Sequence, residues 1–244
     1  MRALSHRVTF APILMFHYIR VDRNPYDYLG IRLSVAPSTF SSEMALLHRY
    51  GYHTITLTQL ADHIRYGRPL PRKRVVLTFD DGYEDQYKHA LPVLRRYGFR
   101  ATFFIVSGFV NRPRYMTWRQ IKQLDRDGME IGVHTVSHLD LTTLPTRFLW
   151  HQIYGAKLAI EWHLRHPVRV FAYPSGAFDG AVLADVRRAG FIAAASTLPG
   201  TLHAERTLLY LYRVRILNSD TPQTMYSYLL DRFGNPWEPT PYVP

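Results

Sequence analysis

Two short stretches of this 244-residue chain carry residues able to do chemistry. In the first, Val75-Val76-Leu77-Thr78-Phe79 runs straight into Asp80-Asp81-Gly82. The apolar run reads as a buried strand, and Gly82 lets the backbone turn at once. Two carboxylates at the end of a buried strand are costly unless a metal or a cation compensates them. An ordinary Asp-Gly turn closing the strand is the plain alternative. In the second stretch, Glu130-Ile131-Gly132-Val133 leads to His134 and, four residues on, to His138. A lone His is more often structural than a ligand. Two at this spacing, with a strand-end carboxylate elsewhere, make a three-ligand site for a divalent metal, leaving positions open for water and substrate. A zinc-protease helix also places His at i and i+4, but with Glu after the first. Thr135 stands there, so that reading fails.

Thr78-Phe79-Asp80-Asp81-Gly82 and His134-Thr135-Val136-Ser137-His138 resemble the first two motifs of the polysaccharide deacetylases, the NodB-homology domain or carbohydrate esterase family 4. Phe171-Ala172-Tyr173-Pro174-Ser175-Gly176 resembles the third, and the order and rough spacing agree over most of the chain. The resemblance implies hydrolysis of an N-acetyl group from an N-acetylated glycan. By motif position Asp81, His134 and His138 are the metal ligands and Asp80 is the general base. The third motif, Tyr173, Pro174 and Ser175, supplies an oxyanion donor, the Ser175 backbone N–H; without the other motifs it reads equally as a plain turn. Zn2+ is the expected metal, because mixed His and Asp ligation suits it, while Co2+, Mn2+ or Fe2+ would accept the same ligands.

One motif position departs from the family. Most members place an Arg two residues before the motif proline, paired with the base; Ala172 stands there. That lack, and the early run Pro12-Ile13-Leu14-Met15-Phe16-His17, resemble the poly-N-acetylglucosamine deacetylases. Arg213, in a late strand where an apolar residue is expected, is a candidate to replace the missing Arg, with a surface ion pair as the alternative. Arg213, Tyr83 and Trp118 are also candidates for sugar contact, although Trp118, just after a helix cap, equally suits the core. Asp140 is a candidate to orient a ligand His.

Breaking an amide requires a proton on the leaving nitrogen, and an imidazole of near-neutral pKa is suited to give it. Most of the family uses a His near the C-terminal end of the domain, where this chain has His203 in an expected loop. His17, at the end of the first expected strand, is the preferred acid, since the first and last strands of a closed barrel are neighbours. A His17 satisfied by a backbone carbonyl is the plain alternative.

The elements that must position these residues alternate nearly end to end. Strands are expected at Ala11 to Phe16, Thr54 to Leu57, Val75 to Phe79, Ala101 to Val106, Ile131 to Val133, Val168 to Ala172, Phe191 to Ala195 and Leu211 to Leu217. Helices are expected after Pro37, after a Thr58 cap, from Glu84 to Tyr97 with a possible kink at Pro92, after a Thr117–Gln120 capping box, from Pro145 to about His163, from Gly180 to Ala189, and after Thr221-Pro222. Asp22 to Leu33 reads as an irregular loop near the site mouth. Such alternation implies an α/β fold with parallel strands covered by helices; the resemblance narrows it to a distorted (β/α) barrel of about seven parallel strands. One domain spanning 1–244, with a Pro-rich tail from about 235, is expected.

The chain lacks cysteine, which excludes disulfides and thiolate ligands. Its net charge is +11, yet no nucleic-acid-binding signature accompanies it, so no specific nucleic acid binding is expected and the Arg residues read as a solvated surface. No apolar run approaches the roughly 18 residues of a membrane span. Arg2 and Arg7 before Val8 to Phe16 mimic a short leader without a small-residue cleavage site. An extracytoplasmic location is expected if a leader has been removed, otherwise a cytoplasmic one. Oligomeric state has no signature. Competing readings are an iron(II) oxygenase, which uses two His and one carboxylate on a double-stranded β fold, a hydrolase of non-sugar amides, and a non-catalytic metal-bearing glycan-binding module, which the intact Asp80 disfavours.

Overall fold

The computed structural model describes residues 8–234. Arg2 and Arg7 of the leader-like segment and the Pro-rich tail from about 235 lie outside the described residues. Seven parallel strands, Ile13–Phe16, Arg74–Phe79, Thr102–Ile105, Glu130–Val133, Val170–Ala172, Ala193–Pro199 and Leu211–Arg215, pair in that order, and the first closes the ring against the last. Leu14 is in register with Leu77 on one side and Val214 on the other. This is the expected distorted (β/α) barrel, and it is not the double-stranded β fold an iron(II) oxygenase would need. The distortion has a local source. A three-residue strand, His53–Ile55, pairs with Arg74 to Val76, while Thr102–Ile105 takes over at Thr78 and Phe79.

Alternation along the strands sorts side chains into two layers. Ile13, Val76, Phe104, Val170, Ala172, Ala193, Ala195 and Leu211 form one cluster, the lumen. Their neighbours Leu14, Leu77, Phe103, Phe171, Ala194 and Val214 belong to the larger cluster under the helices. Gly132 is needed for the lumen packing, since a Cβ there would meet the Phe104 ring at 2.5 Å. The lumen positions continue by steps of two into polar residues: Val76 to Thr78 to Asp80, Gly132 to His134, Ile13 to Met15 to His17, and Leu211 to Arg213 to Arg215. The periodicity that builds the core therefore also aims the functional side chains.

The helices cover the outside. Pro37–Arg49 buries Phe40, Met44 and Leu47, and Trp118–Arg126 opens on the expected Thr117–Gln120 capping box. Four expectations are corrected. Thr56, not Thr58, caps the helix Leu57–Tyr66, through a reciprocal pair with Gln59. The helix expected from Glu84, kinked at Pro92, and the helix expected as unbroken from Pro145 each contain a π-turn, at Gln86–Ala90 and His151–Gly155; in the first the irregularity falls just before Pro92, which has no N–H for the carbonyl four residues back. The stretch expected as an irregular loop before Leu33 includes the short helix Tyr28–Leu33, capped by Asp27. Leu202–His203, expected as a loop, pairs antiparallel with Thr9–Phe10. No helix among the described residues is long and apolar enough to cross a membrane.

Candidate active site

The three motifs meet at the C-terminal ends of their strands, where barrels of this kind place their chemistry. Of the seven non-glycine residues with positive φ among the described residues, four lie in these motifs: Asp81 (75°), Thr135 (67°), His138 (55°) and Ser175 (54°). A β-branched residue such as Thr135 is an outlier there. It is held because its Oγ1 accepts the His138 N–H at 3.0 Å and its carbonyl accepts the Ser107 N–H at 3.0 Å. Backbone strain of this kind persists where the surroundings over-determine it.

Asp81, His134 and His138 form a group that could hold a divalent metal, their ligand atoms lying within 4.8 Å of one another. His134 Nε2 is 3.4 Å and His138 Nε2 3.2 Å from the same Asp81 oxygen. His134 Nδ1 lies 2.8 Å from the Ala172 carbonyl. A carbonyl only accepts, so Nδ1 keeps a proton and Nε2 is the nitrogen turned to the site, its lone pair free for a metal once its own proton is released. The orienting partner is thus a backbone carbonyl of the third motif, and not Asp140, which accepts from Thr142 N and Oγ1. Burial would raise the Asp81 carboxyl, but the hydrogen bond and charge of His134 hold it below its ordinary value.

Two glutamines missed by sequence reasoning pin these loops, and both sit in π-turns. Gln152 Oε1 accepts the N–H groups of Val136 and Ser137, at 3.1 and 2.9 Å, just before His138. Gln86 Nε2 donates to the carbonyls of His17 and Asp80, at 2.6 and 2.5 Å. Single π-turns inside α-helices are frequent at functional sites, but neither carries a hydropathy signal.

Asp80 is buried beside this group and held by Arg213. Nη1 and Nη2 donate to its two carboxylate oxygens at 2.7 and 2.8 Å, Nε donates to the Ser196 carbonyl at 2.7 Å, and Nη1 also reaches Thr78 Oγ1 at 3.2 Å. The small lumen residues Ala172, Ala193 and Ala195 accompany this guanidinium in the interior. Arg213 thus makes the pair that Ala172 cannot. Its side chain is 0% exposed, which overturns its candidacy for sugar contact. Burial alone would raise the Asp80 carboxyl; the charge and hydrogen bonds of Arg213 override burial and hold it far below the usual carboxylate range.

One pocket joins these groups, lined by His17, Tyr18, Asp80, Asp81, Tyr83, His134, His138, Tyr173, Ser175, Thr197 and Arg215, with Asp27, Leu29, Gly30 and Leu33 at its rim. His17 Nε2 is 3.9 Å from Asp80 Oδ2, and its buried Nδ1 has no hydrogen-bond partner; no backbone carbonyl satisfies the ring. Burial pushes the His17 imidazole below its ordinary pKa, against the pull of Asp80 and Asp81. His203 lies outside the pocket, fully buried, with Nε2 2.9 Å from the Ala11 carbonyl, and burial lowers it to about 4. Tyr83 lines the pocket and its hydroxyl accepts from Tyr18 at 2.8 Å. Tyr173 borders the pocket, but its hydroxyl donates to the Leu209 carbonyl and its ring packs on Phe171 and Phe178. Pro174 is buried in the turn and does not line the pocket. Trp118 is away from the pocket, stacked on His163 at 3.7 Å, so the sugar-contact expectation for it is corrected to packing.

A family model described as polysaccharide deacetylase matches residues 67–194. YxkH of Bacillus subtilis (strain 168) is 29% identical over 205 residues, covering 84% of this chain and 71% of that protein. The poly-beta-1,6-N-acetyl-D-glucosamine N-deacetylase of Escherichia coli (strain K12) is 31% identical over 119 residues, 42% of this chain but only 18% of that protein. The Streptococcus pyogenes deacetylase PplD, solved in complex with acetate, superposes with a TM-score of 0.85 at 26% identity, covering 91% of this chain and 99% of that one.

Proposed function

From the premise that the chain belongs to the polysaccharide deacetylase family, we propose that it is a metal-dependent hydrolase that removes N-acetyl groups from an N-acetylated sugar polymer or oligomer. One observation carries the reading: a carboxylate held ionised by a buried Arg stands in one pocket with an Asp/His/His group. The donor set fits a divalent metal, since Asp81 is held ionised and His134, its Nδ1 proton fixed by the Ala172 carbonyl, turns Nε2 to the site and can give up the Nε2 proton when a metal binds. Asp81, His134 and His138 would hold it, and Zn2+ suits their mixed nitrogen and oxygen donors. A metal bound there would polarise the acetamide carbonyl and make water acidic enough for a weak base such as Asp80 to serve.

Asp80 takes the proton from the attacking water, and Arg213 keeps it ionised and oriented for that. His17 faces Asp80 across 3.9 Å; as the imidazolium it gives its proton to the leaving nitrogen, and Asp80 passes the proton taken from water back to it. The Ser175 N–H, on a residue turned into the left-handed region at the pocket wall, is the donor proposed for the developing oxyanion. Tyr83 contacts the sugar. The pocket, about 270 Å³, is at the small end of ligand sites, so it admits one sugar unit and leaves the rest of a polymer outside. The test is acetate release from a panel of N-acetylated glycans, with and without a chelator. Release on at least one glycan, abolished by chelation and restored by Zn2+, is expected. Release indifferent to the chelator, or absent across the panel with metal supplied, overturns the reading.

A further inference from the structure

The strand Leu211–Arg215 sends three alternate side chains into the barrel. Leu211 packs in the lumen and Arg213 holds Asp80. Arg215 comes next on the same face, one strand repeat of roughly 6.6 Å nearer the mouth. It lines the pocket and is half-buried. Unlike that of Arg213, its side chain makes no hydrogen bond or ion pair with any described residue. The charges it feels are Arg213, Arg32 and Asp80, and Asp80 is already taken on both oxygens by Arg213. The other carboxylate on this side of the rim, Asp27, spends an oxygen on the Gly30 N–H at the start of Tyr28–Leu33. Arg32, in the last turn of that helix, likewise has no ion pair.

Partly burying a cation beside two others, without a counter-charge, is unfavourable, and proteins otherwise pair such groups. Burial, and then Arg213, push the Arg215 guanidinium below its ordinary pKa, which registers the same missing anion. The reaction leaves this charge unused, since Asp80 and the Asp/His/His group are compensated among themselves. We infer that Arg215, with Arg32 beside it, is a subsite for an oxyanion, a carboxylate or a phosphate, carried on the glycan next to the sugar that is deacetylated. This rests on the deacetylase reading. An arginine fork matches either oxyanion. One strand repeat above the Asp80 layer is on the order of one pyranose ring away, so the anion belongs to the neighbouring unit or to a substituent reaching back from it.

The test compares three N-acetylglucosamine disaccharides: a neutral one, one with a lactyl carboxylate on the second ring, and one with a phosphate there. Wild-type enzyme is expected to prefer at least one anionic disaccharide by about tenfold to a hundredfold in kcat/KM, mainly through KM, as a charge-assisted hydrogen bond allows; which one it prefers identifies the oxyanion. The preference should shrink as salt is raised. Arg215→Gln should remove most of it and Arg215→Lys should keep part. Equal kcat/KM for all three in wild type overturns the subsite without any variant, as does an Arg215→Gln protein of normal fold that loses the neutral and anionic substrates in equal proportion. Should none of the three be turned over, the deacetylase reading is at fault. Calorimetric titration of the metal-loaded protein with the same disaccharides then decides the subsite: tighter binding of an anionic one, lost in Arg215→Gln, upholds it, and equal binding overturns it.

Discussion

At the C-terminal rim of the barrel, Asp80 is buried against a guanidinium that donates to both its oxygens. At the opposite rim, Glu130 opens the fourth barrel strand, half-buried, and forms no ion pair with any described residue. It accepts from Thr102 Oγ1 at 2.7 Å and from the N–H groups of Leu57 and Thr58 at 2.9 and 3.2 Å, so that a strand residue caps the helix Leu57–Tyr66. The two carboxyls are driven apart. Arg213 overcomes burial and holds Asp80 far below its ordinary range, whereas burial outweighs the neutral donors and raises Glu130. Hydrogen bonds from neutral groups satisfy a buried carboxyl; only a full counter-charge keeps it ionised. The C-terminal rim keeps a carboxylate charged, as the proposed base requires, and the N-terminal rim uses one to join elements.

The comparison breaks first at Asp80. Asp80→Asn should lower kcat by about 10³, within the span usual for a general base, and retain the metal. Asp81→Ala should lose the metal too, since it removes a ligand. Metal content of the two purified variants, set beside their turnover, decides the matter: equal metal loss in both would mean that the adjacent carboxylates do not divide the work. His17→Ala comes next, at about 10² in kcat, with metal and fold kept. As pH rises through the lowered pKa of His17 the acid form is lost, so the wild type should show a basic limb below His17's ordinary range, absent from the variant's residual rate. His203→Ala should turn over normally, with only a lower melting temperature. A dead His203→Ala beside a working His17→Ala would place the acid on the wrong residue.

The α/β alternation was legible in the sequence itself, whereas the barrel, the candidate metal group and Asp80 as candidate base followed from the resemblance of short motifs, each local enough to be read. Val75 to Gly82 and Glu130 to His138 each hold a strand and its ligands within nine residues, and strand alternation does the aiming. What sequence reasoning missed acts across the chain. Gln86 and Gln152 hold the ligand loops from inside helices, through π-turns that hydropathy does not register. Arg213 was visible as a charge in an apolar strand, and that anomaly suggested its pairing with Asp80; the absence of solvent exposure that excludes sugar contact was not visible. Trp118 and Asp140 could not be placed from the sequence: Trp118 stacks on His163 of another helix, and Asp140 serves its own turn.

Arg213→Ala sharpens the contrast by giving Asp80 the condition of Glu130. Leaving a buried carboxylate unpaired costs about 3–5 kcal/mol of stability, so Arg213→Lys, which keeps the charge but not the fork, is the companion variant. With the cation gone, burial raises the Asp80 pKa. Activity that needs ionised Asp80 is then lost at a higher pH on acidification, and the acidic limb of the pH–rate profile moves up. Arg213→Lys should cut kcat by roughly tenfold with a smaller movement. An acidic limb that stays in place in both variants would mean that Arg213 only fills the lumen.

The smallest effect is expected at Glu130. Burial raises its folded pKa above the unfolded value, so its contribution to stability is complete below that unfolded value and declines as pH rises towards the folded one. Over that window the unfolded chain ionises Glu130 and the folded chain does not. Gln has the shape of the neutral acid and one carbonyl oxygen for the N–H groups of Leu57 and Thr58, while its amide can donate to Thr102 Oγ1. Glu130→Gln should therefore match the wild type within about 1 kcal/mol in acid, and any deficit should narrow or reverse as pH rises, because the variant has nothing to titrate there. Urea unfolding of both proteins along a pH series measures the difference, in which every other titrating group cancels. If the wild type instead gains on the variant with rising pH, Glu130 is ionised in the folded protein. The helix N-terminus at Leu57 would then be doing for it what Arg213 does for Asp80, and the two rims would hold their carboxylates in the same charge state by different means.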